Sequence, residues 1–295
     1  MRIVITGHKG QLGSALQRTL AAHEILGLDL PEHNIADPKT IVNTVVQLGP
    51  DLVIHAAAMT DVDGCEQDPD LAFRVNTLGT QNIALACGQC GAAMVHLSTN
   101  DIFDGTLGRP YHEWDTPSPQ SIYARSKAAA EFYVRTLLNR FYIVRTAWLY
   151  ARGGNNFVTK IIAAADRHGA LRVVTDEVSA PTYAPDLAEA IGQLVHTEHF
   201  GIFHFSNSGI CSRYDWALKI LELSGRSHVP VEPITGDQWK RVAPPPLYAP
   251  IVNSTGAALG ITLRPWEDAL LEYFSGAEPA PASKSQSSQT KRAGS

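Results

Sequence analysis

The sequence predicts an α/β fold, a doubly wound parallel sheet joined to a smaller C-terminal lobe. Three observations carry this expectation. In the first 150 residues short β-rich runs alternate with longer helical patterns, and a glycine-punctuated loop follows the first run directly. Beyond about Tyr150 the alternation loosens into helical stretches separated by turns rich in Pro and Gly.

The strand candidates, in order, are Arg2 to Thr6, Ile25 to Leu28, Leu52 to His55, Met94 to Leu97 and Tyr142 to Arg145. Each is a short apolar run bounded by turn residues, with a helical pattern before the next. A βαβα order implies parallel strands, right-handed crossovers and helices on both faces, with ligands at the carboxyl ends of the strands. Later helices are expected near Asn155 to His168, Pro185 to His196, Ser212 to Leu223 and Pro265 to Phe274. The domain division that follows is a dinucleotide-binding domain over 1–150, receiving strands and helices from 170–205, and a second lobe over 151–275. A tail over 276–295, built from Ala, Pro, Ser, Gln, Lys and Gly with no apolar period, is expected to be disordered.

A chain of 295 residues that is 44% hydrophobic and 18% charged can bury a substantial core. Its net charge of -5 and pI of about 6.1 argue against binding nucleic acid, which demands dense Lys and Arg surfaces. No apolar run approaches the ~18 residues of a membrane span, and Met1 to Gly7 is too short for a signal h-region. The expectation is a cytoplasmic protein without a membrane partner. Cys65, Cys87, Cys90 and Cys211 do not form a disulfide framework and are read as reduced thiols. Cys87 and Cys90 have redox or half-zinc spacing, but no second pair completes a site, and Cys87 lies on an apolar-periodic stretch. His55, His96 and His204 sit in or beside apolar runs, as satisfied strand residues do. No metal site is expected.

The first chemical signal is Thr6-Gly7-His8-Lys9-Gly10-Gln11-Leu12-Gly13, closing a strand and opening a helix. Gly7, Gly10 and Gly13 permit a tight turn, close approach of a pyrophosphate to the backbone, and intimate helix packing. The helix N-terminus attracts negative charge. A Rossmann-type dinucleotide site is the reading. Asp29, about twenty positions on, closes the second strand where an acid bonds an adenosine ribose. That favours NADH, while Lys9 leaves NADPH open. The second signal is Tyr123 and Lys127, at i and i+4 on one helical face. A phenol working as a proton donor near neutrality gains from a neighbouring cation that lowers its pKa, the role expected of Lys127. Ser98-Thr99, ending the fourth strand, offers a hydroxyl to the same substrate oxygen.

These blocks resemble the extended short-chain dehydrogenases, and within them the dTDP-4-dehydrorhamnose reductase family. The resemblance runs from Met1 to Phe274. It includes His55 to Asp63 with Val75-Asn76, Phe103-Asp104-Gly105, Arg145 to Tyr150, Asn156-Phe157, and Pro181-Thr182-Tyr183 with Asp186-Leu187-Ala188. It implies a catalytic trio of Thr99, Tyr123 and Lys127. Ala56, Ala57, Ala58 and Asn76 are placed along NADH or NADPH, with Lys127 on the nicotinamide ribose. Thr60, Val62, Asp101 and Trp148 are placed around the sugar of a nucleotide-linked substrate whose 4-keto group is reduced. The C-terminal lobe would then bind substrate, and a homodimer stays open. Two departures stand out. The family's Ser-Thr-Asp-Tyr-Val-Phe-Asp-Gly reads Ser98-Thr99-Asn100-Asp101-Ile102-Phe103-Asp104-Gly105, with a carboxylate for an aromatic. The Arg-Pro-x-Tyr-Ser loop reads Pro245-Pro246-Leu247-Tyr248-Ala249, without its arginine, although Arg241 lies nearby. A nucleotide-sugar epimerase and a non-catalytic regulatory subunit, such as the methionine adenosyltransferase β subunit on the same scaffold, remain alternatives at this level.

Overall fold

The computed structural model describes residues 1–276; the tail expected over 276–295 lies outside the described residues except for Gly276. Five strands of the first half, β1 (Arg2–Thr6), β2 (Glu24–Leu28), β3 (Leu52–His55), β4 (Ala93–Thr99) and β5 (Phe141–Thr146), fall where the apolar runs place them. Ladder hydrogen bonds carry β4 two residues past its apolar run, so Ser98 and Thr99 are part of the strand. With β10 (Gly201–His204), they form a six-stranded parallel sheet in the order β10-β5-β4-β3-β1-β2. The order reverses at β1, which lies between β2 and β3, so a crevice opens beyond the carboxyl ends of β1 and β3.

Alternate residues of each strand feed opposite cores. Ile3 and Ile5 of β1 pack with Leu16, Leu187 and Ile191, whereas Val4 packs with Ile41, Ile83 and Val134. The first core thus joins α1 (Gln11–Thr19) and α8 (Ala184–Leu194) on one face of the sheet. The second joins α2 (Pro38–Leu48), α5 (Gly79–Cys90) and α6 (Ile122–Leu137) on the other. Between β3 and α5 lie the short helices α3 (Val62–Gln67) and α4 (Pro69–Ala72) and a π-helical turn, Phe73–Leu78, a rare geometry that tends to mark functional segments.

A third core, around Trp216, Ile220, Val158 and Leu270, holds the C-terminal lobe together. It brings together α7 (Phe157–His168), α9 (Arg213–Leu223) and α11 (Trp266–Ser275) with the strand pair β7 (Leu171–Val174) and β12 (Val231–Ile234). Four two-residue strands pair off outside the main sheet, β6 (Leu149–Tyr150) with β9 (Thr182–Tyr183) and β8 (Val178–Ser179) with β11 (Cys211–Ser212). Among the described residues no helix is long and apolar enough to cross a membrane.

Candidate active site

The crevice at the carboxyl ends of the strands deepens into a cavity of about 1100 Å³. One end is the glycine loop. Gly7 has φ 72°, and a Cβ there would lie 2.7 Å from Ala57 N; a Cβ on Gly13 would lie 2.2 Å from Gly7 O. Both positions therefore require glycine for close backbone approach, not merely for a turn. No side chain caps the start of α1, and Gly10, Gln11, Leu12 and Gly13 line the cavity. This uncapped N-terminus, with no room for a Cβ nearby, suits the pyrophosphate of a dinucleotide. Asp29, at the mouth of β2, accepts Lys9 N–H at 3.0 Å, while Lys9 Nζ turns to Leu30 O and Glu32.

Ala56, Ala58, Thr60 and Val62 line the same cavity along the loop after β3. Asn76 stands behind that loop. Buried in the π-helical turn, it accepts Met59 N–H at 2.8 Å and donates to Met59 O and Ser126 Oγ, so it braces the loop from beneath. Ala57 packs into the core beside Gly7.

The predicted trio converges on the opposite wall. Ser121 caps α6 by accepting Ala124 N–H, which places Tyr123 in the first turn and Lys127 one turn later. Thr99, ending β4, accepts Asp101 N–H at 3.1 Å, and its hydroxyl lies beside the Tyr123 phenol. Lys127 is buried; its Nζ donates to Leu97 O at 2.5 Å and contacts His96 Nε2 at 3.5 Å. Burial brings its pKa down to about 8, against the opposing pull of Glu131.

One electrostatic expectation is corrected. The Tyr123 phenol is pushed above its ordinary range, by burial first and then by the Asp101 carboxylate, with the Thr99 hydrogen bond acting the other way. Lys127 shares its helical face, but its ammonium is directed onto the Leu97 carbonyl.

Sugar-side residues come from distant segments. Trp148 adopts φ 42°, a strained value for a bulky residue, and stacks on Trp216 with ring centroids 5.6 Å apart. It thus lines the cavity and closes the third core at once. Sequence reasoning missed Glu177 and Arg213. Glu177 lies 3.5 Å from Arg213 and 2.9 Å from Arg241, and Arg213 stands 3.7 Å over the Trp148 ring. Arg213 opens α9 behind the capping box of Ser212 and Asp215. Asp101 faces this group; burial holds its carboxyl up at about 6, with Arg213 and Arg241 pulling down and Glu177 pushing up.

The family model described as RmlD substrate binding domain matches residues 1–278. The chain is 39% identical over 278 residues to a dTDP-4-dehydrorhamnose reductase of Mycobacterium tuberculosis, covering 91% of each chain. It is 38% identical over 275 residues to the spore coat polysaccharide biosynthesis protein SpsK of Bacillus subtilis, covering 92% of this chain and 96% of that one. Among solved structures, a dTDP-4-dehydrorhamnose reductase from Clostridium acetobutylicum superposes with a TM-score of 0.90 at 38% identity, over 93% of this chain and 99% of that one. One from Bacillus anthracis, in complex with NADP, gives 0.90 at 35% identity, over 94% and 99%.

Proposed function

The chain belongs to the family of the RmlD substrate binding domain, and from that premise we propose that it is an NAD(P)H-dependent oxidoreductase reducing the 4-keto group of a nucleotide-linked deoxysugar. The favoured substrate is dTDP-4-dehydrorhamnose or a related dTDP-4-keto-6-deoxyhexose. The observation that carries this reading is the convergence of Thr99, Tyr123 and Lys127 on one wall of a cavity whose end is the glycine loop.

Gly7, Gly10 and Gly13 with the start of α1 would hold the pyrophosphate, and Asp29 the adenosine ribose. Lys127 would hold the nicotinamide ribose. A reduced nicotinamide supplies the hydride when bound. Tyr123 gives its phenolic proton to the carbonyl oxygen as that oxygen gains charge. Thr99, with Asp101 N–H bonded to its oxygen, keeps its own proton to share between the phenol and the substrate oxygen. Both cofactors remain candidates: the Asp29 carboxylate favours a free 2′-hydroxyl, whereas Lys9 would meet a 2′-phosphate, with Glu32 beside it opposing that charge.

The test is consumption of NADH or NADPH with dTDP-4-keto-6-deoxy sugars, followed through reduced-nicotinamide absorbance. Wild type is expected to turn over. Tyr123→Phe should lose about 10²-fold or more in kcat while keeping cofactor affinity. Near-normal turnover by that variant would remove Tyr123 from the mechanism.

A further inference from the structure

The wall beside the reacting oxygen carries two groups that the reaction itself does not use. Asp101 is two residues from Thr99 and tied to it through its N–H, yet its carboxylate takes no hydrogen bond from any described residue. Arg213 lines the same cavity. Its guanidinium is fixed by the Trp148 ring at 3.7 Å, the Phe157 ring at 4.8 Å and an ion pair with Glu177 at 3.5 Å. The ion pair is made through Nε, which is buried against Glu177, while no described residue accepts a hydrogen bond from the two terminal nitrogens. Glu177 is in turn held by Arg241 at 2.9 Å. Asp101, Glu177, Arg213 and Arg241 together form a balanced array, so the site attracts neither sign of charge strongly. What it offers is an open acceptor beside an open donor.

We propose that Asp101 and Arg213 read the ring substituent next to the reacting carbonyl and select a hydroxyl there. An ionised carboxylate only accepts hydrogen bonds and a guanidinium only donates them. A hydroxyl satisfies both, donating to Asp101 and accepting from Arg213. An ammonium would serve Asp101 but meet the like charge of Arg213 and Arg241. A carboxylate would serve Arg213 but meet Asp101 and Glu177. A hydrogen atom would leave both groups desolvated and unpaired once the sugar covers them, the costly case for buried polar groups. Trp148, pinned beneath Arg213, keeps the guanidinium from following a smaller substituent. This selection rests on the ketoreductase reading, because Thr99 and Tyr123 set which ring carbon lies beside Asp101.

The experiment compares two dTDP-4-keto-6-deoxyhexoses, one with a hydroxyl on the carbon adjacent to the ketone and one with hydrogen there, using wild type, Asp101→Asn, Asp101→Leu and Arg213→Met. Wild type is expected to favour the hydroxyl sugar by about 100-fold or more in kcat/KM, since a site that bonds a substrate hydroxyl rejects the analogue lacking it. Asp101→Leu and Arg213→Met should each cut that ratio to about tenfold or less, whereas Asp101→Asn, which keeps an acceptor oxygen, should retain more of it. Equal use of both sugars by wild type, or a ratio that survives both Asp101→Leu and Arg213→Met, overturns the proposal. Should neither sugar turn over, the ketoreductase reading fails separately, and selection is read from the dissociation constants of the two sugars. A preference of about tenfold or more for the hydroxyl sugar supports the proposal, and a smaller one overturns it.

Discussion

Two stacked imidazoles lie beneath Lys127, with ring centroids 5.6 Å apart. The Thr80 hydroxyl is committed to Asn76 O, so His55 Nε2–H donates to Thr80 at 3.0 Å and Nδ1 accepts the Thr6 hydroxyl at 2.7 Å. Both rings are held neutral. Burial, then Lys127, brings His55 down to about 3 and His96 well below the usual imidazole range. The unfolded chain therefore binds protons below about pH 6.5 that the native state refuses. The stability these rings contribute is complete above that pH and is lost as pH falls toward 3. Denaturant melts should show stability falling between about pH 6.5 and 4, each ring adding up to about 1.4 kcal/mol per pH unit, and His55→Asn should flatten the slope. An unchanged slope would mean other groups dominate acid sensitivity. Tyr123 and Lys127 were legible as a pair because the helix period puts i and i+4 on one face, whereas Thr99 joined them through the family resemblance. The direction of the Lys127 ammonium was not legible, since it depends on a carbonyl of a different strand. Glu177 and Arg213 come from separate segments and meet Asp101 only through the tertiary fold, so no local spacing announces them.

Among the elements, the glycine loop is the most tightly specified. Replacing a helical glycine by alanine ordinarily gains about 1 kcal/mol from propensity. At Gly13 the added Cβ would instead lie 2.2 Å from Gly7 O and 2.6 Å from His8 Cα, and neither backbone atom can yield. Gly13→Ala should therefore lower the melting temperature and weaken NADH binding about tenfold or more in titrations; wild-type affinity would show that the loop relaxes. The strands of the first half and the four long later helices were visible to within a few residues because each carries its own apolar period. The π-helical turn at Phe73–Leu78 and the two-residue strands β6, β8, β9 and β11 were not, being too short to have a period. The pairing of β7 with β12 joins segments sixty residues apart, Leu171 opposite Val231, which no local pattern encodes.

Across the whole molecule, buried polar links join the layers that the apolar cores separate. Arg145 of β5 reaches Glu131 of α6 at 2.8 Å, Ser98 donates to the same carboxylate, and the guanidinium also contacts Glu113 O and His204. Arg145→Met would strand Glu131 as an uncompensated buried charge, with an expected loss of about 3–5 kcal/mol. Urea melts of Arg145→Met beside Arg145→Met/Glu131→Gln test this, because the second change should restore part of the loss. A second link ties the C-terminal lobe to the glycine loop: Gln11, opening α1, accepts Ala151 N–H and the Asn156 amide, and Asn156 caps α7 of that lobe. Three of the chain's five tryptophans, Trp148, Trp216 and Trp239, line the cavity. Their emission overlaps the absorption of a reduced nicotinamide, so the molecule carries its own optical gauge: energy transfer from these indoles reports the arrival of the reductant, and its decay reports oxidation, without any label attached.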